Sequence, residues 1–100
     1  MKKYCIQIEG RHFITELDEA QDSYGFFVLR FVEGDDEDEA CDAAIERIEN
    51  SIENMIDVMN DPGDPPTINI VEVEQIITFD GVDNLQPDIA WYSESQATQG

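Results

Sequence analysis

The chain is poor in basic residues, with five lysines and arginines against 24 aspartates and glutamates, and its formal net charge is −19. A surface of this sign repels nucleic-acid phosphates and anionic lipid headgroups. The composition therefore predicts no direct binding to nucleic acid or to membranes. Cations and basic proteins remain as partners of compatible charge.

Long apolar runs are also missing. The longest, residues 26–29, is far shorter than the roughly 20 residues that cross a bilayer. The basic start of the chain is not followed by the apolar core of a signal peptide, because residues 9–11 interrupt it. We therefore expect a cytoplasmic protein.

Cysteine and histidine are scarce. Cys5 and Cys41 lack C-x-x-C spacing and a secretory context, so we expect free thiols. A nucleophilic cysteine needs nearby positive charge, whereas the surroundings in this chain are predominantly acidic. His12 is the single histidine, and the sequence places no partner for acid–base or metal chemistry beside it.

Catalytic and cofactor motifs are absent from the sequence. It contains no G-x-S-x-G, Walker or dinucleotide-binding glycine pattern. The dense acids of residues 35–39 fail as an EF-hand loop, since the sixth residue from Asp35 is Ala40 where glycine is required. We predict no enzymatic activity, no cofactor and no metal site.

The sequence contains enough apolar residues to form the core of one small domain. One hundred residues with 41% hydrophobic content suffice for a single core without metal or disulfide support. We predict one domain over residues 1–92. The polar residues 93–100 have the composition of a flexible tail.

Strand patterns surround one helical segment. Alternating or β-rich stretches predict strands at residues 3–9, 11–17, 24–33, 67–79 and 89–92, with a loop at 18–23. The stretch 24–33 is apolar on both faces, which fits either a central strand buried on both sides or a sheet face that packs on another subunit. A change of face within 67–79 predicts a bulge.

The helical segment begins near Asp36, whose spacing from Glu39 is that of a capping box. Its apolar residues recur at spacings of three and four, drawing one stripe: Cys41, Ile45, Ile48, Ile52, Met55, Ile56 and Met59. The prolines of residues 62–66 end it.

This order of elements predicts an α+β two-layer sandwich, an antiparallel sheet with one long amphipathic helix on one face, in a ferredoxin-like variant. The second helix of that fold is missing or is replaced by residues 80–88. The other sheet face then needs a cover. Because Phe26 and Val28 are assigned to it, we predict a homodimer through the sheet.

Two charged features allow alternative interpretations. Arg30 is a lone base in an apolar strand; it either pairs across strands with Glu72 or Glu74, or it binds a ligand carboxylate or phosphate. The polar face of the helix carries one carboxylate per turn, at Asp42, Glu46, Glu49, Glu53 and Asp57. This row either imitates a nucleic-acid backbone or is a solvated, solubilising face.

Several segments resemble a family of small bacterial proteins to which no function is assigned. The shared features are an E-G-x-x-F start at Glu9–Phe13, a G-F-[FY]-x-x-R-[FY]-V-E strand at Gly25–Glu33, an E-E-A helix start that reads D-E-A here at Asp38–Ala40, and a D-P-P turn at Asp64–Pro66. The resemblance covers roughly residues 3–75 and implies no function. A weaker likeness is to HicB-type antitoxin domains, although their glycine- and cysteine-bearing segment between strand and helix is absent.

The sequence therefore predicts a small acidic, non-enzymatic interaction or regulatory domain, a homodimer with Phe26, Val28 and Arg30 in its contact. The alternative is a nucleic-acid-mimicking or antitoxin-like inhibitor of a basic protein, bound through the acidic row on the helix.

Overall fold

The computed structural model describes residues 1–17, 19–83 and 87–97. Its elements are β1 (Lys2–Leu17), β2 (Ala20–Gly34), α1 (Glu37–Met55), β3 (Thr67–Ile76), β4 (Ala90–Ser93) and the single turn α2 (Glu94–Ala97). The four strands form one antiparallel sheet in the order β3-β1-β2-β4. The predicted α+β class with one long helix is confirmed.

The ferredoxin-like variant is not confirmed. A ferredoxin-like chain runs β-α-β-β-α-β, whereas here two strands precede α1 and two follow it. Residues 80–88, proposed to replace a second helix, form no helix in their described part, and 84–86 lie outside the described residues. No described helix is long and apolar enough to cross a membrane.

The first half of the sheet is one long hairpin. The two short strands predicted before residue 18 are a single strand, and β2 begins at Ala20 rather than at Tyr24. A bulge between Gly10 and Phe13 adds one residue to β1, so inward side chains fall at even positions before it and at odd positions after it. This switch of parity is what made one strand look like two.

Gly10 was expected to end the first strand, yet it lies within β1, opposite Phe26. The Phe26 ring fills the space beside its α-carbon: a Cβ built on Gly10 would lie 1.9 Å from the nearest ring carbon. Phe26 also packs against Phe13 and Trp91, with ring centroids 5.5 and 5.1 Å away. The glycine therefore makes room for the aromatic centre of the core.

Helix α1 covers one face of the sheet. Asp36 caps it as predicted, its Oδ1 accepting a hydrogen bond from the Glu39 amide at 2.8 Å. The helix residues that are fully buried are Ala40, Ala44, Ile48 and Ile52, and they pack against inward side chains of β1 and β2. Cys41 and Ile45 are partly buried at the margin of this contact.

The helix ends at Met55, earlier than the apolar stripe predicts. Ile56 is extended. The segment that follows it runs alongside β1 beyond Arg11, the last residue of β1 that pairs with β3. There the Met59 amide donates to the Ile14 carbonyl at 2.7 Å, and Asn60 Oδ1 accepts from the Ile14 amide at 2.9 Å. These bonds give the Ile14 amide and carbonyl partners at a part of β1 that β3 does not reach.

β3 contains the bulge that the sequence predicted. Gln7 pairs with Glu72 and Ile8 with Ile70, so Val71 is the extra residue.

The predicted flexible tail starts inside β4, and Glu94 Oε1 accepts hydrogen bonds from Ser23 Oγ and the His12 amide, each at 2.8 Å. Residues 98–100 of that tail lie outside the described residues.

We expect Gly10→Ala to destabilise the protein by about 1–3 kcal/mol, because the added methyl group must displace the packed Phe26 ring. Urea unfolding measures the change. Gly63→Ala is the matched control, since a Cβ there meets nothing within 4 Å. Equal stability of the two variants would contradict this account of the core.

Candidate interaction surface

The sheet face turned away from α1 is apolar at its centre. We call it the open face and define it by the outward side chains of β1, β2 and β4: Lys3, Cys5, Gln7, Glu9, Phe27, Leu29, Phe31, Glu33, Ala90 and Tyr92. Phe27 and Leu29 each have a relative exposure of 41%, which is high for large apolar side chains at the middle of a strand.

The aromatic residues of the open face are held in fixed positions. Phe27 stacks on Tyr92 with a centroid distance of 5.6 Å, and Phe31 makes an edge contact with Phe79 at 6.3 Å. Lys3 Nζ lies 5.7 Å from the Phe79 ring centroid. These contacts restrict the rotamers open to the aromatic side chains, and such restriction lowers the entropy cost of binding.

The carboxylates beside this apolar stripe are paired. Lys3 Nζ lies 4.0 Å from Glu33 Oε1, and the Arg11 guanidinium is hydrogen-bonded to Glu9. Glu72 and Glu74 on β3 are exposed and have no ion-pair partner within 4 Å among the described residues. The sheet is thus locally neutral along β2 and negative along β3.

Phe26 and Val28 are not on the open face, and their predicted placement was wrong. They face α1, with relative exposures of 0% and 4%. The error arose because both faces of β2 are apolar, so the sequence pattern does not say which one the helix covers. The pairing of Ile8 with Val28 and of Gly10 with Phe26 sets both on the covered side.

Arg30 is also on the covered side, and neither predicted pairing is present. Glu72 and Glu74 belong to the opposite face. Arg30 Nη1 donates to the carbonyls of Leu29 at 2.8 Å and of Pro87 at 2.6 Å. Burial lowers its pKa, an effect that the charge of Asp88 partly opposes. Arg30 therefore holds the chain before β4 against β2 and is not available to an external ligand.

The acidic row on α1 is as exposed as the sequence predicts, at Asp42, Glu46, Glu49 and Glu53. Asp57, predicted as its last member, is exposed but lies beyond the end of α1 at Met55. Glu49 and Glu53 also border a groove of about 400 Å³ between α1 and β3. The groove has apolar walls that include Ile45, Ile52 and Ile68. The sequence could not reveal this groove, because it depends on the angle of the helix across the sheet.

A hydrogen-bonded cluster that the sequence did not indicate surrounds the bulge of β1. His12 has a left-handed backbone, with φ of 62°, and its Nε2 lies 2.7 Å from Asp64 Oδ2. Asn60 Nδ2 donates to the carbonyls of His12 at 2.8 Å and of Asp64 at 3.0 Å. These bonds hold the bulge in place, and no nucleophilic side chain is among them.

Both cysteines are free. Burial raises the pKa of the Cys5 thiol, and the charges of Glu74 and Glu72 raise it further. The same holds for Cys41, where burial acts together with Glu37, Asp38 and Asp42. Each thiol is therefore stabilised in its unreactive protonated form. Within the described ranges, no three histidine, cysteine or acidic side chains are grouped as metal ligands would be.

Comparison of the chain with protein-family models, with curated proteins and with solved structures gives no match. Its function must therefore be argued from its own surfaces.

In a Cys41→Ser variant, we expect Cys5 to react with a thiol reagent slowly at neutral pH, with a rate midpoint above the ordinary cysteine value of about 8.5. Glu74→Gln should lower that midpoint, because it removes one of the two neighbouring negative charges. The pH dependence of the alkylation rate, in folded protein and in urea, gives the measurement. A folded-state midpoint at or below the urea value would contradict the assignment.

Proposed function

We propose that this chain is a small acidic, non-enzymatic interaction domain that forms a homodimer in the cytoplasm through the open face of its sheet. The proposal assumes a two-layer arrangement in which α1 covers one face and the second copy covers the other. The observation that carries it is the exposure of Phe27 and Leu29 at the centre of the open face. Contiguous exposed apolar surface of this kind is typical of interaction sites.

The local charge on the open face supports a second copy as the occupant. Two chains of net charge −19 repel each other. The pairing of Glu33 with Lys3 and of Glu9 with Arg11 removes uncompensated carboxylates from the area that the copies would share. A twofold contact centred on β2 and β4 also keeps the unpaired acids of β3 at its margin.

We expect sedimentation to show a dimer at micromolar concentration in moderate salt, and Leu29→Glu to shift it to monomer. Burying an unpaired carboxylate at the contact costs on the order of 3 kcal/mol, a roughly hundredfold loss of affinity. Because Leu29 is outside the core, the variant should remain folded. A monomeric parent protein, or a Leu29→Glu variant that is still dimeric, would contradict the proposal.

Two control variants separate loss of contact from loss of fold. Val28→Glu places the same charge in the core and should unfold the protein. Ile77→Glu adds the charge at a side chain with 97% relative exposure, and it should leave both fold and dimer unchanged.

A second candidate function, a nucleic-acid-mimicking or antitoxin-like inhibitor of a basic protein, is favoured by the exposed acidic row on α1.

The salt dependence of binding distinguishes this inhibitor from the homodimer. Screening weakens binding to a basic partner, whereas it should strengthen association of two negative copies. We expect a basic partner captured from the source cell at low ionic strength to be released at moderate ionic strength. Neutralising Asp42, Glu46, Glu49 and Glu53 together should abolish the capture; retention would contradict this candidate.

A further inference from the structure

β3 is an edge strand with an available side. It pairs with β1 over Thr67–Ile76 and has no neighbour on its other side among the described residues. Edge strands of natural proteins are usually protected by charged side chains, above all lysine, by proline, by a bulge or by a covering element. β3 contains no lysine or proline, and its charged side chains, Glu72 and Glu74, are both negative and lie on one face. Its bulge at Val71 interrupts the edge only locally.

The inward side chains of β3 are incompletely covered. Ile6 and Ile8 on β1 are fully buried beneath α1, whereas Ile68, Ile70 and Val73 on β3 are only partly buried. The groove between α1 and β3 lies at the Ile68 end of this side, with Ile45 and Ile52 on its helix wall. Apolar side chains from an added strand would complete the core there.

The outward side of β3 has the opposite character. Glu72 and Glu74 face outward, opposite Gln7 and Cys5, and both are exposed. A strand added beside β3 would place every second side chain next to these carboxylates. Opposite charges in such cross-strand positions attract, and like charges repel.

We propose that β3 binds an extended basic segment of a partner protein by strand addition, in which apolar side chains entering the groove alternate with lysines or arginines facing Glu72 and Glu74. Backbone hydrogen bonds to β3 would supply affinity, and the alternation would supply specificity. Glu49 and Glu53 at the mouth of the groove add to the preference for a positive segment. This site is separate from the open face and does not depend on the proposed homodimer.

The charge at this edge argues against a second copy as the occupant. The chain has only five lysines and arginines. Arg30 is buried, while Lys3 and Arg11 are paired with acids of the open face. None of the strands offers a segment in which basic and apolar residues alternate.

The test uses the full chain and three fluorescent eight-residue peptides. The first alternates lysine and valine, the second has the same composition in two blocks, and the third is the alternating peptide with every backbone amide N-methylated. We expect fluorescence anisotropy at moderate salt to show the alternating peptide binding at least about tenfold more tightly than the block peptide. The N-methylated peptide should not bind, since it cannot pair along the edge.

Variants locate the contact. Glu72→Gln with Glu74→Gln should weaken binding by roughly two- to fivefold for each carboxylate removed. Asp42→Asn with Glu46→Gln removes the same charge from the exposed face of α1 outside the groove, and binding should change much less. Hydrogen exchange should show slowing at alternate amides of Thr67–Ile76 when the alternating peptide binds.

Three results would overturn the proposal. One is equal binding of the alternating and block peptides, which would show attraction to net charge alone. Another is binding without slowed exchange in β3, which would place the contact elsewhere. The third is no binding of the alternating peptide to a chain that remains folded. None of these results bears on the dimer, because Leu29 and the open face take no part in the assay.

Discussion

The register of the β1–β2 hairpin is the constraint on which the rest of the structure depends. Pairing of Tyr4 with Val32 and of Ile8 with Val28 assigns each side chain of the two strands to one face. A slip of one residue would exchange the faces completely. The bulge at Gly10–Phe13 is what keeps apolar residues inward along the whole length of β1.

The assignment of the two sheet faces determines which side chains are exposed. α1 covers the side that contains Phe26 and Val28, and this leaves Phe27 and Leu29 exposed on the other. Basic residues are few, and two of them neutralise acids beside the exposed apolar stripe. Among the described residues, exposed carboxylates without a basic partner lie on the outer face of α1 and, as Glu72 and Glu74, on β3. The molecule thus has an apolar, locally neutral face and a separate acidic edge, which suit different partners.

The sequence predicted the features that local chemistry determines. Asp36 as the helix cap, the buried positions Ile48 and Ile52 of the apolar stripe and the bulge in β3 were readable from residue spacing, whereas Met55 and Met59 of that stripe are exposed. Prediction from the sequence failed where one local pattern is compatible with two different structures. A strand apolar on both sides does not indicate which side a helix will cover, so Phe26 and Val28 were placed on the wrong face. The hydrogen bonds from the segment after α1 to Ile14, at a part of β1 that β3 does not reach, could not be predicted because Ile14 is distant in sequence.

Methyl nuclear Overhauser effects test the face assignment most directly, because every proposed surface depends on it. In protein with labelled isoleucine, leucine and valine methyl groups, the account predicts contacts from Val28 to the core-facing isoleucines of α1, Ile48 and Ile52, and none from Leu29 to α1. Contacts between Leu29 and Ile48, with none from Val28, would show that the helix covers the opposite face and would contradict the account.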